Sequence, residues 1–308
     1  MKPTAFIFPG QGSQYVGMGK DLFENFSVAK QIFQEADDTL HFSISTLCFK
    51  GPEEALKLTE NTQPALLTVS IAAYEVLKEK GLRPDFVAGH SLGEYSALVA
   101  AGSLRFEDAV RLVKKRGRYM QDAVPPGVGA MAALLKLPNG RLDTILAEAA
   151  QTEIVSAANL NSPEQVVIAG HAGAVGRAVN LAKAAGARRA VLLPVSAPFH
   201  CALMRPAQER LGVDLDQTEF ADLAAPLVNN FEAREIRTGA EARRGLFEQV
   251  PNPVRWTATI RHLASQGVTK CYEAGASAVL TGLLKAIEPG IQGFKFGEPA
   301  DWDKIAAS

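Results

Sequence analysis

Residues Asp85 to Leu98 read DFVAGHSLGEYSAL: a short apolar run, then Gly89-His90-Ser91-Leu92-Gly93, then residues at helical spacing that continue without a breaker to Gly102. A Gly-X-Ser-X-Gly between a strand and a helix is the nucleophile elbow, in which a tight turn lifts the serine oxygen clear of its backbone while the glycines let neighbouring elements approach closely. The five letters constrain little by themselves, since glycine and serine at about 7% each give roughly 0.1 chance matches in a chain of this size. Their setting constrains more. Phe86-Val87-Ala88 reads as a buried strand that feeds a helix through the motif, and Ser91 becomes the first candidate for a covalent nucleophile.

The rest of the chain fits an α/β sheet around that turn. Thr4-Ala5-Phe6-Ile7-Phe8 is a strand that stops at the glycine-rich turn Pro9-Gly10-Gln11-Gly12-Ser13. Helical patterns follow from about Tyr15 to Phe26 and from Val28 to Leu40, and Gly51-Pro52-Glu53-Glu54 opens another. Asn61-Thr62-Gln63-Pro64 reads as a helix start with proline in the first turn, running to a stop at Gly81. Arg105 to Ala123 is an amphipathic helix, ended by Pro125-Pro126-Gly127.

After that proline pair the pattern changes. Gly129 to Leu137 is strand-like, Gly140 to Ala150 helical, Glu153 to Asn159 and Gln165 to Ala169 are strands around a turn, Ala174 to Ala185 is helical, and Ala190 to Val195 is a strand. The order β-α-β-β-α-β is the ferredoxin-like arrangement, so residues 125–195 are expected to form a small subdomain inserted in a larger one made of 1–124 and 196–308. Beyond it, helices near Cys201 to Leu211, Ala240 to Gln249 and Arg255 to Gln266 alternate with strands at Pro226 to Asn229 and Lys270 to Glu273, and a last helix follows Gly275. Such alternation implies a mostly parallel sheet covered on both faces.

Bulk properties exclude several classes. With 308 residues, 47% of them hydrophobic, the chain can bury a large core. A formal net charge of -1 gives no global attraction to nucleic acid or to an anionic membrane. No apolar run approaches the roughly 18 residues that a membrane span needs, and the residues after Met1 do not read as a secretory signal, so a chain starting at Met1 is expected. Cys48, Cys201 and Cys271 are widely spaced, with no metal-ligand pattern, which suits a reducing cytoplasm and no structural metal.

A serine hydroxyl needs a base within hydrogen-bond reach, and histidine supplies it best. His90 adjoins Ser91 but should point to the opposite face. His41 and His262 sit in helical, partly polar surroundings, and His171 follows a strand of the small subdomain. His200 stands out, because the strand Ala190 to Val195 and the segment Ser196-Ala197-Pro198-Phe199 deliver it from a strand end, where sites in such sheets gather. No acidic residue between Ser91 and His200 is well placed to orient the imidazole: Asp108 and Asp122 lie on the amphipathic helix and Asp143 in the insertion. A serine-histidine dyad held by a backbone carbonyl is therefore open beside the usual triad. For the developing oxyanion, Leu92 offers the N–H after the nucleophile, and the Gly10-Gln11-Gly12 turn is placed to bring Gln11 as the second donor.

Five segments then carry a resemblance. Phe8-Pro9-Gly10-Gln11-Gly12-Ser13-Gln14, Gly89 to Tyr95, Arg116-Gly117-Arg118-Tyr119-Met120-Gln121, Asn161 to Val167 and Pro198-Phe199-His200 resemble, in the same order, the malonyl-CoA:acyl-carrier-protein transacylases. Asn252-Pro253-Val254-Arg255-Trp256 and Tyr272-Glu273-Ala274-Gly275 extend the match over nearly the whole chain. The resemblance implies an α/β-hydrolase-like core with a ferredoxin-like insertion. It implies that Ser91 carries the acyl group, that His200 is its base, and that the main-chain carbonyl of Gln249 holds the imidazole. Arg116 would grip the free carboxylate of the malonyl group, Gln11 and Leu92 would form the oxyanion hole, and Gln63, Asn159 and Phe199 would line the acyl pocket. A guanidinium fork suits a carboxylate bidentately, although Arg116 among Lys114, Lys115 and Arg118 also fits a solvated charge.

The reaction so implied is ping-pong transfer of a malonyl group from malonyl-CoA to the phosphopantetheine thiol of acyl carrier protein, with no cofactor, in fatty-acid synthesis. A bulky Phe199 is expected to disfavour a 2-methyl branch, although Ser196 and Pro198 depart from the polyketide form of that motif. Because carriers of this type are acidic, a basic rim including Lys114, Lys115, Arg188 and Arg189 is expected. A free-standing polyketide acyltransferase, a serine esterase or thioesterase, and a silent carrier-binding module remain as other readings. A monomer is the simpler expectation, since no apolar exposed helix stands out.

Overall fold

The computed structural model of the protein describes residues 2–195 and 197–307. Met1, Ser196 and Ser308, and with them the expected chain start and the exact limits of the expected domains, lie outside the described residues. The strands are β1 (Thr4–Phe8), β2 (Phe86–Gly89), β3 (Gly129–Leu135), β4 (Val155–Ser162), β5 (Gln165–His171), β6 (Arg189–Leu192), β7 (Leu227–Val228), β8 (Glu235–Ile236), β9 (Lys270–Ala274) and β10 (Gln292–Phe296). They form two sheets. One has the order β10-β9-β1-β2-β7-β8 and is parallel except for β8, which runs antiparallel to β7; the other has the order β4-β5-β3-β6 and is antiparallel throughout. The fold is α/β with a mixed, mostly parallel main sheet.

The central strand β1 shows why its letters are apolar on both faces. Phe6 and Phe8 belong to one hydrophobic cluster and Ala5 and Ile7 to another, as the two-residue period of a strand dictates. The first cluster joins the sheet to helices Ser27–Leu40, Thr59–Glu79 and Phe106–Asp122; the second joins it to Trp256–Ser265 and Val279–Ile287. Helix Thr59–Glu79 is buried nearly all round because helices flank it on either side of the sheet contact. A separate cluster, with Ala132, Leu134, Ile168 and Val179, forms between the small sheet and its two helices, Leu142–Ala150 and Ala172–Ala184.

Several boundaries differ from the expectation. The helix expected from Tyr15 begins only at Lys20, because Gly17 and Gly19 take φ of 107° and 74°, which ends any right-handed path through them. Pro64 lies within the helix, not in its first turn: Thr59 opens it, and the Leu58 carbonyl accepts from the N–H groups of both Asn61 and Thr62. Helices Ile44–Lys50 and Trp302–Ala306 and strands β8 and β10 were not signalled; β10 (QGFKF) is an edge strand with its first two residues exposed, so it lacks a buried run.

The strand expected to deliver His200 requires a correction. It ends at Leu192, not Val195, and it is an edge strand of the small antiparallel sheet, with Leu192 60% exposed. Beyond it Leu193, Pro194 and Val195 lie outside any strand and face a cavity.

Candidate active site

The site lies where the main sheet reverses direction. From β1 the chain reaches β2 on one side, while β9 flanks β1 on the other, so the carboxyl ends of β1 and β2 open a crevice. Phe8 is in register with Gly89, which brings the turn at Gln11 beside the elbow at Ser91. That approach needs glycine: a Cβ on Gly93 would sit 2.0 Å from the Phe8 carbonyl oxygen, and one on Gly89 would sit 1.9 Å from the Gly93 backbone. Ser91 itself has φ of 53°, a left-handed strain of order 1–3 kcal/mol that the surrounding structure must hold.

Two amide side chains hold it. Asn230, just past β7, accepts the Ser91 N–H on Oδ1 at 2.7 Å and donates from Nδ2 to the Gly89 carbonyl at 2.6 Å. Gln249, the last residue of helix Gly239–Gln249, donates from Nε2 to the Ser91 carbonyl at 3.0 Å and to Glu94 Oε2 at 3.0 Å. The Asn230 N–H donates to the same Glu94 oxygen at 2.9 Å.

The Ser91 hydroxyl meets His200 Nε2 at 2.7 Å, and His200 Nδ1 lies 3.0 Å from the main-chain carbonyl of Gln249. A carbonyl can only accept, so Nδ1 carries the proton and Nε2 presents its lone pair to the hydroxyl. The imidazole is 3% exposed; burial, then the nearby Arg116 charge, pushes its pKa down to about 3, which keeps it neutral.

Arg116 is 1% exposed, not a solvated charge. Its Nη1 donates to Gln63 Oε1 at 2.8 Å, and its Nη2 donates to Gln249 Oε1 at 2.8 Å and to Ser91 Oγ at 3.2 Å. The Tyr95 ring lies 5.4 Å from the guanidinium carbon. All three acceptors are uncharged, and Arg116 Nε is a buried donor without a hydrogen-bond partner among the described residues. A buried cation whose hydrogen-bond partners are all neutral, with a spare donor, is suited to an incoming anion.

A cavity of about 680 Å³ opens on these groups. Gln11, Gln63, Ser91, Leu92, Arg116, Asn159, Phe199 and His200 all line it, whereas Gln249 is fully buried behind them. Asn159 is placed there because β4 is pinned to the main body: Val254 and Asn159 form a parallel bridge, and the N–H groups of Val254 and Leu160 bond across it. His90 turns away as expected, with Nε2 2.8 Å from Asn161 Oδ1 and its ring against Trp256. Cys201 is buried, its thiol directed at the Pro198 carbonyl and its pKa pushed up to about 11 by burial.

None of the four residues expected in a basic rim lines the cavity itself; Lys114 donates to Asn61 and Lys115 pairs with Asp214. The sequence reasoning missed Asn230 and the part played by Glu94. Glu94 lies within the matched segment Gly89 to Tyr95 but was given no role there, and Asn230 follows a two-residue strand and carried no local signal.

Comparison with known proteins agrees with this geometry. Residues 5–288 match the family model described as an acyl transferase domain. The chain is 48% identical over 301 residues to the malonyl CoA-acyl carrier protein transacylase of Escherichia coli K12, covering 97% of each chain, and 48% identical to that of Bacillus subtilis 168, covering 97% of this chain and 95% of the other. It superposes on the acyl carrier protein S-malonyltransferase of Vibrio cholerae with a TM-score of 0.96 at 46% identity, over 98% of this chain and 99% of that one. A malonyl-transacylase solved in complex with a type II polyketide acyl-carrier protein gives a TM-score of 0.96 at 47% identity over 98% of both chains. Matches of this extent place the chain in the acyl transferase family, among the malonyl CoA-acyl carrier protein transacylases.

Proposed function

We propose that the protein transfers a malonyl group from malonyl-CoA to the thiol of acyl carrier protein through an ester on Ser91. The observation that carries this reading is the contact of a buried Arg116, whose hydrogen-bond partners are all neutral, with the nucleophile it would serve. A malonyl carboxylate seated on the Arg116 fork places the thioester carbonyl at the other end of the group, within reach of Ser91 Oγ.

Ser91 Oγ attacks that carbonyl as its proton passes to His200 Nε2. The N–H groups of Leu92 and Gln11 receive the oxyanion, the C–S bond breaks, and the imidazolium returns the proton to the departing coenzyme A thiolate. The carrier thiol then loses its proton to His200, attacks the malonyl-serine ester, and Ser91 leaves with that proton. Burial and, after it, the Arg116 charge depress His200, so a carboxylate seated on the guanidinium removes only the smaller of these causes and the imidazole stays neutral. Phe199, against the cavity, supports selection for an unbranched malonyl group. No step calls for a metal or bound cofactor.

The order of the small sheet, β4-β5-β3-β6 with crossover helices on one side in sequence, supports reading 125–195 as a ferredoxin-like insertion. The serine elbow at the end of β2 supports reading the remainder as an α/β-hydrolase-like catalytic domain.

Coenzyme A release separates transfer from hydrolysis. Release from malonyl-CoA should stop at one equivalent per enzyme when no carrier is supplied and continue when holo carrier is added. Continuous release without carrier would identify a thioesterase instead.

A further inference from the structure

Glu94 is a carboxylate buried to 1% exposure, one turn of chain past the nucleophile, and no step above uses it. Its Oε2 accepts two hydrogen bonds, from the Asn230 N–H at 2.9 Å and from Gln249 Nε2 at 3.0 Å. Those two residues hold Ser91, His200 and Arg116. Asn230 bonds the Ser91 N–H and the Gly89 carbonyl; Gln249 bonds the Ser91 carbonyl and Arg116 Nη2 with its side chain and His200 Nδ1 with its main chain.

The Gln249 carboxamide lies between a cation and an anion, with Oε1 on the Arg116 guanidinium and Nε2 on the Glu94 carboxylate. An amide in that field has one favoured orientation, because a flip would set its N–H groups against a cation and its oxygen against a carboxylate. We propose that Glu94 is a positioning residue for the acyl transfer, and that its negative charge fixes the Gln249 amide and the Asn230 backbone so that Ser91, His200 and Arg116 stay in register. This inference rests on the acyl-serine reading above.

The groups around Glu94 are Arg116 from helix Phe106–Asp122, Tyr95 beside it on its own helix, and the neutral amides of Asn230 and Gln249. Burial raises the Glu94 carboxyl to about 7, against the lowering effect of those hydrogen bonds and of Arg116. The positioning form is the ionised one. Acylation should therefore rise with pH through a midpoint near this value, while neutral His200 contributes no limb in that range.

The test is single-turnover acylation of Ser91 by malonyl-CoA in wild type, E94Q and E94D, from about pH 5.5 to 9, with thermal melting of each. In E94Q the acylation rate at the alkaline end should fall at least about tenfold, the malonyl-CoA KM should move less than about threefold, and the limb near neutrality should vanish. E94D keeps the charge and should keep the limb at a lower plateau. A wild-type rate and limb in E94Q, a rate loss that matches the loss of folded protein, or a flat profile in E94D would overturn the assignment. Wild type that forms no ester on Ser91 would instead strike the functional reading.

Discussion

Arg116 Nη2 donates a hydrogen bond to Ser91 Oγ at 3.2 Å, so a guanidinium from the middle of helix Phe106–Asp122 touches the hydroxyl proposed to attack. The same nitrogen is shared with Gln249 Oε1, and Nη1 is turned to Gln63. A charge held this deep by neutral acceptors favours a substrate that brings its own anion.

Removing that charge separates malonyl from acetyl recognition. R116A should lower kcat/KM for malonyl-CoA by the roughly 2–5 kcal/mol typical of truncating a buried charge pair, a factor of about 30 to several thousand. Acetyl-CoA, which has no carboxylate, should be affected far less. Steady-state kinetics with both thioesters check this, and an equal loss for the two would remove Arg116 from the role of carboxylate anchor.

The strained elbow depends on Asn230. N230A leaves the Ser91 N–H and the Gly89 carbonyl without their partner, which should cost about 1–3 kcal/mol of stability. The φ of 53° at Ser91 should relax as well, and acylation should slow beyond what the unfolded fraction explains. Urea melts together with single-turnover acylation measure both effects.

A second buried carboxyl gives a pH signature of the fold. Glu273, at the end of β9, accepts the N–H groups of Leu280 and Thr281 at the start of helix Val279–Ile287, and burial raises its pKa to about 7 from 4.5. Because the folded-state value lies above the unfolded one, this group's stabilisation is complete below about pH 4.5 and is lost as pH rises through about 7. The total is roughly 3 kcal/mol. E273Q should be less stable than wild type near pH 5, and the gap should narrow or reverse by about pH 8. Melts at the two pH values test it; a constant gap would contradict the shift.

The parts of the site that were legible in the sequence are those with a local cause. The elbow announces itself because only glycine tolerates the approaches at Gly89 and Gly93, and β1 and β2 announce themselves because strands buried on both faces must be apolar throughout. The geometry that joins Ser91 to Asn230, 139 residues away, has no such trace: its residue type is common in turns and its strand is two residues long. The edge strand β10 was missed for the opposite reason, since an exposed edge does not need the apolar run that marks a buried strand. Arg116 looked like one more cation on a basic helix face until the fold showed it to be buried. His200 was found on reasoning that the structure corrects, since the strand before it ends at Leu192, well short of the histidine, and is an exposed edge strand.

The central claim is that Ser91 carries the malonyl group between its two thiol partners, and intact-mass analysis with peptide mapping tests it most directly. Mixed with malonyl-CoA, the enzyme should gain one malonyl increment on Ser91, and holo acyl carrier protein should then remove it and gain the same mass. No increment in wild type, an increment that persists in S91A, or one lost to water at the same rate with and without the carrier would contradict the account.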